Sequence, residues 1–222
     1  AVDHAGDVPQ PKPMAPTGKS VAIIGGGPGG LSAAYYLAIM GHKVTVYEKQ
    51  KQLGGMMRYG IPSYRFPRAK LDAEISSILS LGIEVHTNIT VGADISFDQL
   101  KETYDCLYLS IGAHTDKKTG IEGENSQGVI SAVELLRRIG DDEMPDFTGK
   151  NIVVIGGGNV AMDVTRSSIR LGAAKVTCVY RRRTEDMTAQ KEEVEGAIAE
   201  GAAILTLHAP LRIEANAQGH VT

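Results

Sequence analysis

The chain alternates short, unbroken apolar runs with longer stretches of helical spacing, and glycine marks most of the junctions. Val21–Ile24 and Tyr104–Ile111 read as buried strands, and Lys43–Tyr47, Ile83–Val85, Asn151–Ile155, Val176–Tyr180 and Ala203–His208 read as further strands. Between them the pattern turns helical. Leu31–Met40 is one such run; Arg68–Leu81 is another, with Leu71, Ile75, Ile78 and Leu79 on one stripe and Gly82 as its stop. Ser96 is placed to cap a short helix over Phe97–Thr103, and Ser131 to start one within Val129–Gly140. Lys191–Glu200 adds a helix with Val194, Ala197 and Ile198 inward, while Leu211–Ile213 and His220–Thr222 suggest a hairpin through Gln218-Gly219. Strands alternating with helices predict parallel sheets in an α/β fold. Residues 114–128 are polar and glycine-broken, so the domain boundary is expected there, and the acidic stretch Asp141–Gly149 is expected to be a linker.

The first apolar run leads directly into a glycine turn in which Gly25, Gly27 and Gly30 satisfy G-x-G-x-x-G. Between a strand and a helix, the first glycine permits the tight turn and the second lets the backbone approach a pyrophosphate. The third lets helix pack on strand. Glu48 closes the second strand at close to the distance of about 20 residues where an acid accepts hydrogen bonds from an adenosine ribose. The helix start supplies free N–H groups and a positive dipole end for phosphates. Gly25, Gly27, Pro28, Gly29, Gly30 and Glu48 are therefore the first candidate set.

Asn151–Ala161 repeats the pattern with Gly156, Gly158 and, at the third position, Ala161, an allowed variant. Two such units in one chain point to electron transfer between two bound dinucleotides. Aligning Gly172 with Gly41 and Lys175 with Lys43 puts Tyr180 where Glu48 stands, with Arg181-Arg182-Arg183 directly after it. An acid repels a 2′-phosphate, whereas guanidinium groups clamp it. At about 1.5–3 kcal/mol per charged hydrogen bond, two of them discriminate by about a hundredfold or more. The first unit is expected to bind a nucleotide with a free ribose, such as FAD, and the second NADP. The alternative for the arginines is a solvated cluster after a strand.

With 222 residues, 42% of them hydrophobic, the chain has room for one large or two small α/β domains. Its net charge of −3 argues against a nucleic-acid partner. No apolar run approaches the roughly 20 residues that span a bilayer, so no membrane is expected. Cys106 and Cys178 lie in strand-like runs and are expected to be buried thiols. There is no C-x-x-C, so neither a dithiol centre nor a metal site is expected, and the cytoplasm is the default compartment. Residues 1–19 hold four prolines and read as an extended linker. Lys49–Pro67, with two glycine steps and two prolines, is expected to contain no regular element and to be a functional loop.

The segments V-A-I-I-G-G-G-P-G-G-L-S-A-A-Y-Y-L, V-Y-E-K, L-G-G-M-M-R-Y-G-I-P-S-Y-R-F-P, V-V-I-G-G-G-N-V-A-M-D and V-Y-R-R together resemble the FAD- and NADPH-dependent module of the glutamate synthase small (β) subunit. The same module occurs in dihydropyrimidine dehydrogenase and in NADPH:ferredoxin oxidoreductase large subunits. Resemblance extends over about residues 18–210, and the R-Y-G-I-P…R-F-P loop is its most specific part. It implies two Rossmann-like dinucleotide-binding domains, with the NADP domain inserted in the FAD domain. The FAD-binding part would occupy residues 20–113 and the NADP-binding domain residues 129–222. By the resemblance Gly25–Gly30, Glu48, Lys49, Gly55, Met56, Arg58 and Arg65 face FAD, and Gly158, Asn159, Val160, Ala161, Arg181 and Arg182 face NADPH. Hydride passes from NADPH to FAD, and single electrons pass to iron–sulfur clusters of a partner domain or of the large subunit of a synthase or ferredoxin-type complex. The cofactors carry that chemistry, so no acid–base residue is named. Two departures stand out: the cysteine-rich cluster-binding segment before the FAD domain, and the Gly-Asp motif with which the family returns to FAD after the NADP domain. The chain is thus expected to be a piece of a larger enzyme, its FAD domain C-terminally truncated. The alternatives are a disulfide reductase of the thioredoxin reductase type, against which the lack of C-x-x-C counts, and a nucleotide-binding fragment without turnover.

Overall fold

The computed structural model describes residues 11–222 and divides into two compact units, the first ending at His114 and the second beginning at Thr115. In the first, the order is β1 (Ser20–Ile24), α1 (Pro28–Ile39), β2 (Lys43–Tyr47), α2 (Met56–Tyr59), α3 (Arg68–Leu79), β3 (Glu84–His86), α4 (Phe97–Thr103) and β4 (Cys106–Leu109). Every strand pairing is parallel, in the order β3-β2-β1-β4, with Ile23 opposite both Val46 and Tyr108. Alternation sends Val21, Ile23, Val44 and Val46 to the face where Leu31, Ala34 and Ala38 of α1 and Leu71 and Ile75 of α3 close the core. Each such valine, leucine or isoleucine, fully covered, contributes about 1.5–3 kcal/mol. Ser96 caps α4 in a reciprocal box with Gln99.

Three expectations need correcting in this unit. The Tyr104–Ile111 run is not a buried strand: β4 is the edge of the sheet, and Tyr108, Leu109 and Ile111 are exposed. An unbroken apolar run looks the same whether one or two sides are covered, which is why the pattern misleads. Cys106, on that edge, is exposed rather than buried. The Lys49–Pro67 loop also contains one helical turn, α2, in a stretch free of glycine and proline. Of the expected 1–19 linker, residues 1–10 lie outside the described residues. The remainder is tied down, since Met14 donates to Ile39 O (2.8 Å) and Thr17 to Gly41 O (3.0 Å).

The second unit runs α5 (Ala132–Gly140), β5 (Asn151–Ile155), α6 (Asn159–Arg170), β6 (Lys175–Tyr180), α7 (Lys191–Ala199) and β7 (Ala203–Thr206), with a short 3-10 turn at Thr184–Asp186. Its sheet is again parallel, in the order β5-β6-β7, repeating the β1-β2-β3 half of the first unit. Leu135, Leu136, Val154, Met162, Val176, Cys178, Val194 and Ala197 form its core. Residues alternating with them, Val153, Ile155 and Leu205, are exposed on the opposite side of the sheet. Arg166 joins α6 to α7 through Glu193 (2.6 Å) and Glu200 (2.7 Å), and Arg170 reaches the same Glu200 at 2.8 Å. In place of the expected hairpin strands, a single antiparallel bridge pairs Ala215 with Val221, while Arg212 bridges Glu122. Among the described residues no helix is long and apolar enough to cross a membrane.

Candidate functional site

β1 has β2 on one side and β4 on the other, so the strand order runs outward from β1 in two directions. That divergence is where α/β sheets open a ligand crevice. A cleft of about 400 Å³ opens there, lined by Gly25, Gly27, Pro28, Gly29, Glu48, Lys49, Gly55 and Met56 of the residues expected from sequence. Ser110, Ile111, Gly112 and His114 form another wall, and Ile24, Tyr47 and Ile89–Val91 complete it.

The glycine turn is fixed from two strands at once. Gly25 N–H donates to Tyr47 O (2.8 Å), and Gly25 O accepts from Ser110 Oγ (2.9 Å). Gly25 has a φ of 107°, a region that favours glycine, and a Cβ there would meet Ser110 O at 2.4 Å. Gly26 N–H donates to Glu48 Oε2 (2.7 Å) and Gln50 N–H to Glu48 Oε1 (2.8 Å), so the buried carboxylate is held by two backbone donors. With about four acceptor positions, it keeps two for a ligand. Gly30 does not line the cleft; a Cβ on it would lie 1.9 Å from Gly25 O, so its bareness lets α1 pack against the turn. Pro28 occupies the first turn of α1, where its missing N–H costs nothing. Across the cleft, a Cβ on Gly55 would fall 2.7 Å from Gly27 Cα, so two backbone segments approach as closely as glycine allows.

Arg58 and Arg65 are placed elsewhere. Arg58 is buried, donates through Nε to Leu53 O (2.6 Å) and pairs with Asp72, which braces the loop instead of lining the cleft. Arg65 is half-buried and likewise off the cleft lining. Sequence reasoning missed the Ser110–His114 wall. The signal was a serine and glycine directly after a strand, but only the strand order places them beside Gly25.

In the second unit the repeated turn is held differently. Gly156 N–H donates to Val179 O (3.0 Å), and Gly156 O accepts from Cys178 Sγ (3.1 Å), both from β6. Burial pushes the Cys178 thiol up from its ordinary pKa. Gly158 precedes the first residue of α6, Asn159, whose Oδ1 accepts from Gln190 N–H (2.8 Å). Val160 is exposed, while Ala161 is buried with its Cβ 3.2 Å from where a Gly156 Cβ would stand. Tyr180 lays its ring over Gly157 and donates its hydroxyl to Asp186 O (2.8 Å). Arg181, Arg182 and Arg183 are all exposed. Arg183 is engaged by Asp186 (3.0 Å), which holds the Asp186 carboxyl below its usual range. Arg181 and Arg182 make no side-chain hydrogen bond among the described residues. No group of three or more His, Cys, Asp or Glu there is placed to hold a metal ion.

The family described as pyridine nucleotide-disulphide oxidoreductase matches residues 19–222. Among curated relatives, NADP(+)-dependent formate dehydrogenase subunit beta of Moorella thermoacetica is 47% identical over 83% of this chain, and glutamate synthase [NADPH] small chain of Escherichia coli is 37% identical over 93%. The chain spans only 26% and 46% of those two proteins. Mycobacterium tuberculosis FprA, solved in complex with NADPH, shares the fold with a TM-score of 0.69 at 23% identity, over 82% of this chain and 48% of that one. Lactococcus lactis thioredoxin reductase shares it with a TM-score of 0.67 at 24% identity, over 91% and 69%. Two parallel units with repeated glycine turns, matched over nearly the whole length, mean that the chain belongs to the pyridine nucleotide-disulphide oxidoreductase family, where it is related to the glutamate synthase small chain.

Proposed function

We propose that this chain is the FAD- and NADPH-binding part of an electron-transfer flavoenzyme of the glutamate synthase small-subunit type, with FAD in the first unit, over residues 20–113, and NADPH in the second, over 129–222. One observation carries the reading: the two repeats share a glycine turn but differ in the residues just beyond the second strand of each. In the first, a buried carboxylate, Glu48, faces the cleft; in the second, Tyr180 covers the turn and Arg181 and Arg182 are exposed with no side-chain acceptor among the described residues.

The first cleft fits a dinucleotide. Gly25, Gly27 and Gly55 form a backbone cradle that side chains would fill, and the start of α1 offers N–H groups that lack intrahelical acceptors. Glu48 would accept from the ribose hydroxyls, Lys49 would supply positive charge at the rim, and Met56 an apolar contact. In the second unit Gly156, Gly158, Asn159, Val160 and Ala161 would receive the pyrophosphate, and Arg181 and Arg182 the 2′-phosphate. Bound FAD would take hydride from NADPH and release electrons singly. The chain's own residues bind and orient, and none is assigned a proton transfer. Relatives named as subunits of formate dehydrogenase and glutamate synthase support a partner subunit, and we assign it the iron–sulfur clusters. Two free thiols suit a cytoplasmic setting.

The test is an absorbance scan from about 300 to 550 nm after incubation with FAD and desalting, a range chosen for the two visible bands of bound flavin. Retained flavin that NADPH bleaches faster than NADH does supports both assignments, and Arg181→Ala with Arg182→Ala should then erase the preference. A colourless product overturns the flavin assignment for this chain.

A further inference from the structure

The peptide linking Gly25 to Gly26 has both of its polar groups tied down. Its carbonyl oxygen accepts from Ser110 Oγ at 2.9 Å, and its N–H donates to Glu48 Oε2 at 2.7 Å. One anchor comes from the end of β2, the other from the residue after β4. The plane of this peptide sets how the backbone of Gly26 and Gly27 leaves β1 and turns into α1, and thus where the phosphate-facing N–H groups point. Ser110 itself is held in place, because its own N–H donates to Ile24 O at 2.9 Å. It also lines the cleft.

The second unit provides an internal contrast. Its corresponding carbonyl, Gly156 O, is held only by Cys178 Sγ at 3.1 Å, and β5 has no strand on its far side among the described residues. A thiol is a weak donor, so the hydroxyl of Ser110 gives the first turn a firmer lock than its repeat has.

We propose that Ser110 is a positioning residue for dinucleotide binding: by fixing the Gly25–Gly26 peptide against Glu48, it aims the glycine turn at the ligand's pyrophosphate without being required for its nucleoside. The inference rests on the reading of this cleft as the FAD site. It separates two parts of one ligand, and that separation makes it testable.

Isothermal titration of the full chain with FAD and with ADP, and an NMR titration with adenosine, would be run on the unsubstituted protein, Ser110→Ala and Ser110→Thr. Ser110→Ala is expected to weaken FAD and ADP by about two- to tenfold, the value of one neutral hydrogen bond, while adenosine binding stays unchanged. Ser110→Thr, which keeps the hydroxyl, should restore both. Equal losses for ADP and adenosine would show a general distortion and overturn the inference, as would unchanged ADP binding in Ser110→Ala. Failure of the unsubstituted chain to bind any of the three overturns the FAD reading itself, and the positioning role falls with it. If Ser110→Ala is misfolded by circular dichroism, Ser110→Cys takes its place; a weaker donor there should give a partial loss, and full affinity would overturn the proposal.

Discussion

Replacing Glu48 by alanine isolates what the buried carboxylate does for the apo fold. Its two oxygens accept from Gly26 N–H at 2.7 Å and from Gln50 N–H at 2.8 Å, and the side chain is 6% exposed. Hydrogen bonds to a charged group contribute about 1.5–3 kcal/mol each, so the ceiling is about 3–6 kcal/mol. Water partly replaces the acceptor for Gln50 N–H, which is only part-buried, whereas Gly26 N–H has no such recourse. The expected loss is about 2–4 kcal/mol. For a unit of about 100 residues this lowers the melting temperature by at least about 8 °C. Glu48→Gln, which keeps one neutral acceptor, should fall between. Hydrogen exchange read by mass spectrometry assigns the loss: peptides from β1, β2 and α1 should lose protection, while those from β5, β6 and α6 should not. A Glu48→Ala protein that melts within about 2 °C of its parent would refute the reasoning, because by the same conversion the carboxylate would then contribute less than about 0.5 kcal/mol.

Gly30→Ala drives a methyl to 1.9 Å from Gly25 O, so α1 must move off the turn; a destabilisation of about 3 kcal/mol and lost FAD retention are expected, checked by thermal melt and absorbance. Exposed Cys106 should react with a disulfide reagent in the native protein, and Cys178, buried and with its pKa raised, only after denaturation; two fast thiols would contradict the packing. Glu200 has its pKa lowered, first by the hydrogen bond from Arg170 and then by Arg166. Its folded value lies below the unfolded one, so its contribution is present above the ordinary glutamate pKa of about 4.3 and is lost as pH falls through the folded value. Acid melts should therefore weaken the α6–α7 pair below that pH, and Arg166→Ala with Arg170→Ala should flatten this limb.

The parts of the fold legible in the sequence were those written locally. Gly25, Gly27 and Gly30 declare themselves because the turn needs bare backbone at fixed spacing, and Ser96 and Ser131 because a cap needs a hydroxyl just before the helix. The fold class came from the alternation of strand and helix. The parts that stayed hidden depend on strand order or on partners distant in sequence. Ser110 reaches Gly25 only because β4 lies beside β1, and Arg58 turns from the cleft because Leu53 O and Asp72 wait on its other side. Glu193 meets Arg166 only because α6 lies against α7, a packing that no local pattern records.

The unequal pairing of the two equivalent strands has a dynamic consequence. β1 is bonded on both sides, so Ala22 and Ile24 point their amides at β4, as Ser110 N–H donating to Ile24 O confirms. In β5 the same alternation points Val153 and Ile155 away from β6, the only strand it pairs with among the described residues. Two amides at matching places in one repeated motif should therefore lose their protons to deuterated water on very different clocks. Those of Ala22 and Ile24 wait for an opening of the sheet, and those of Val153 and Ile155 exchange whenever solvent reaches that edge.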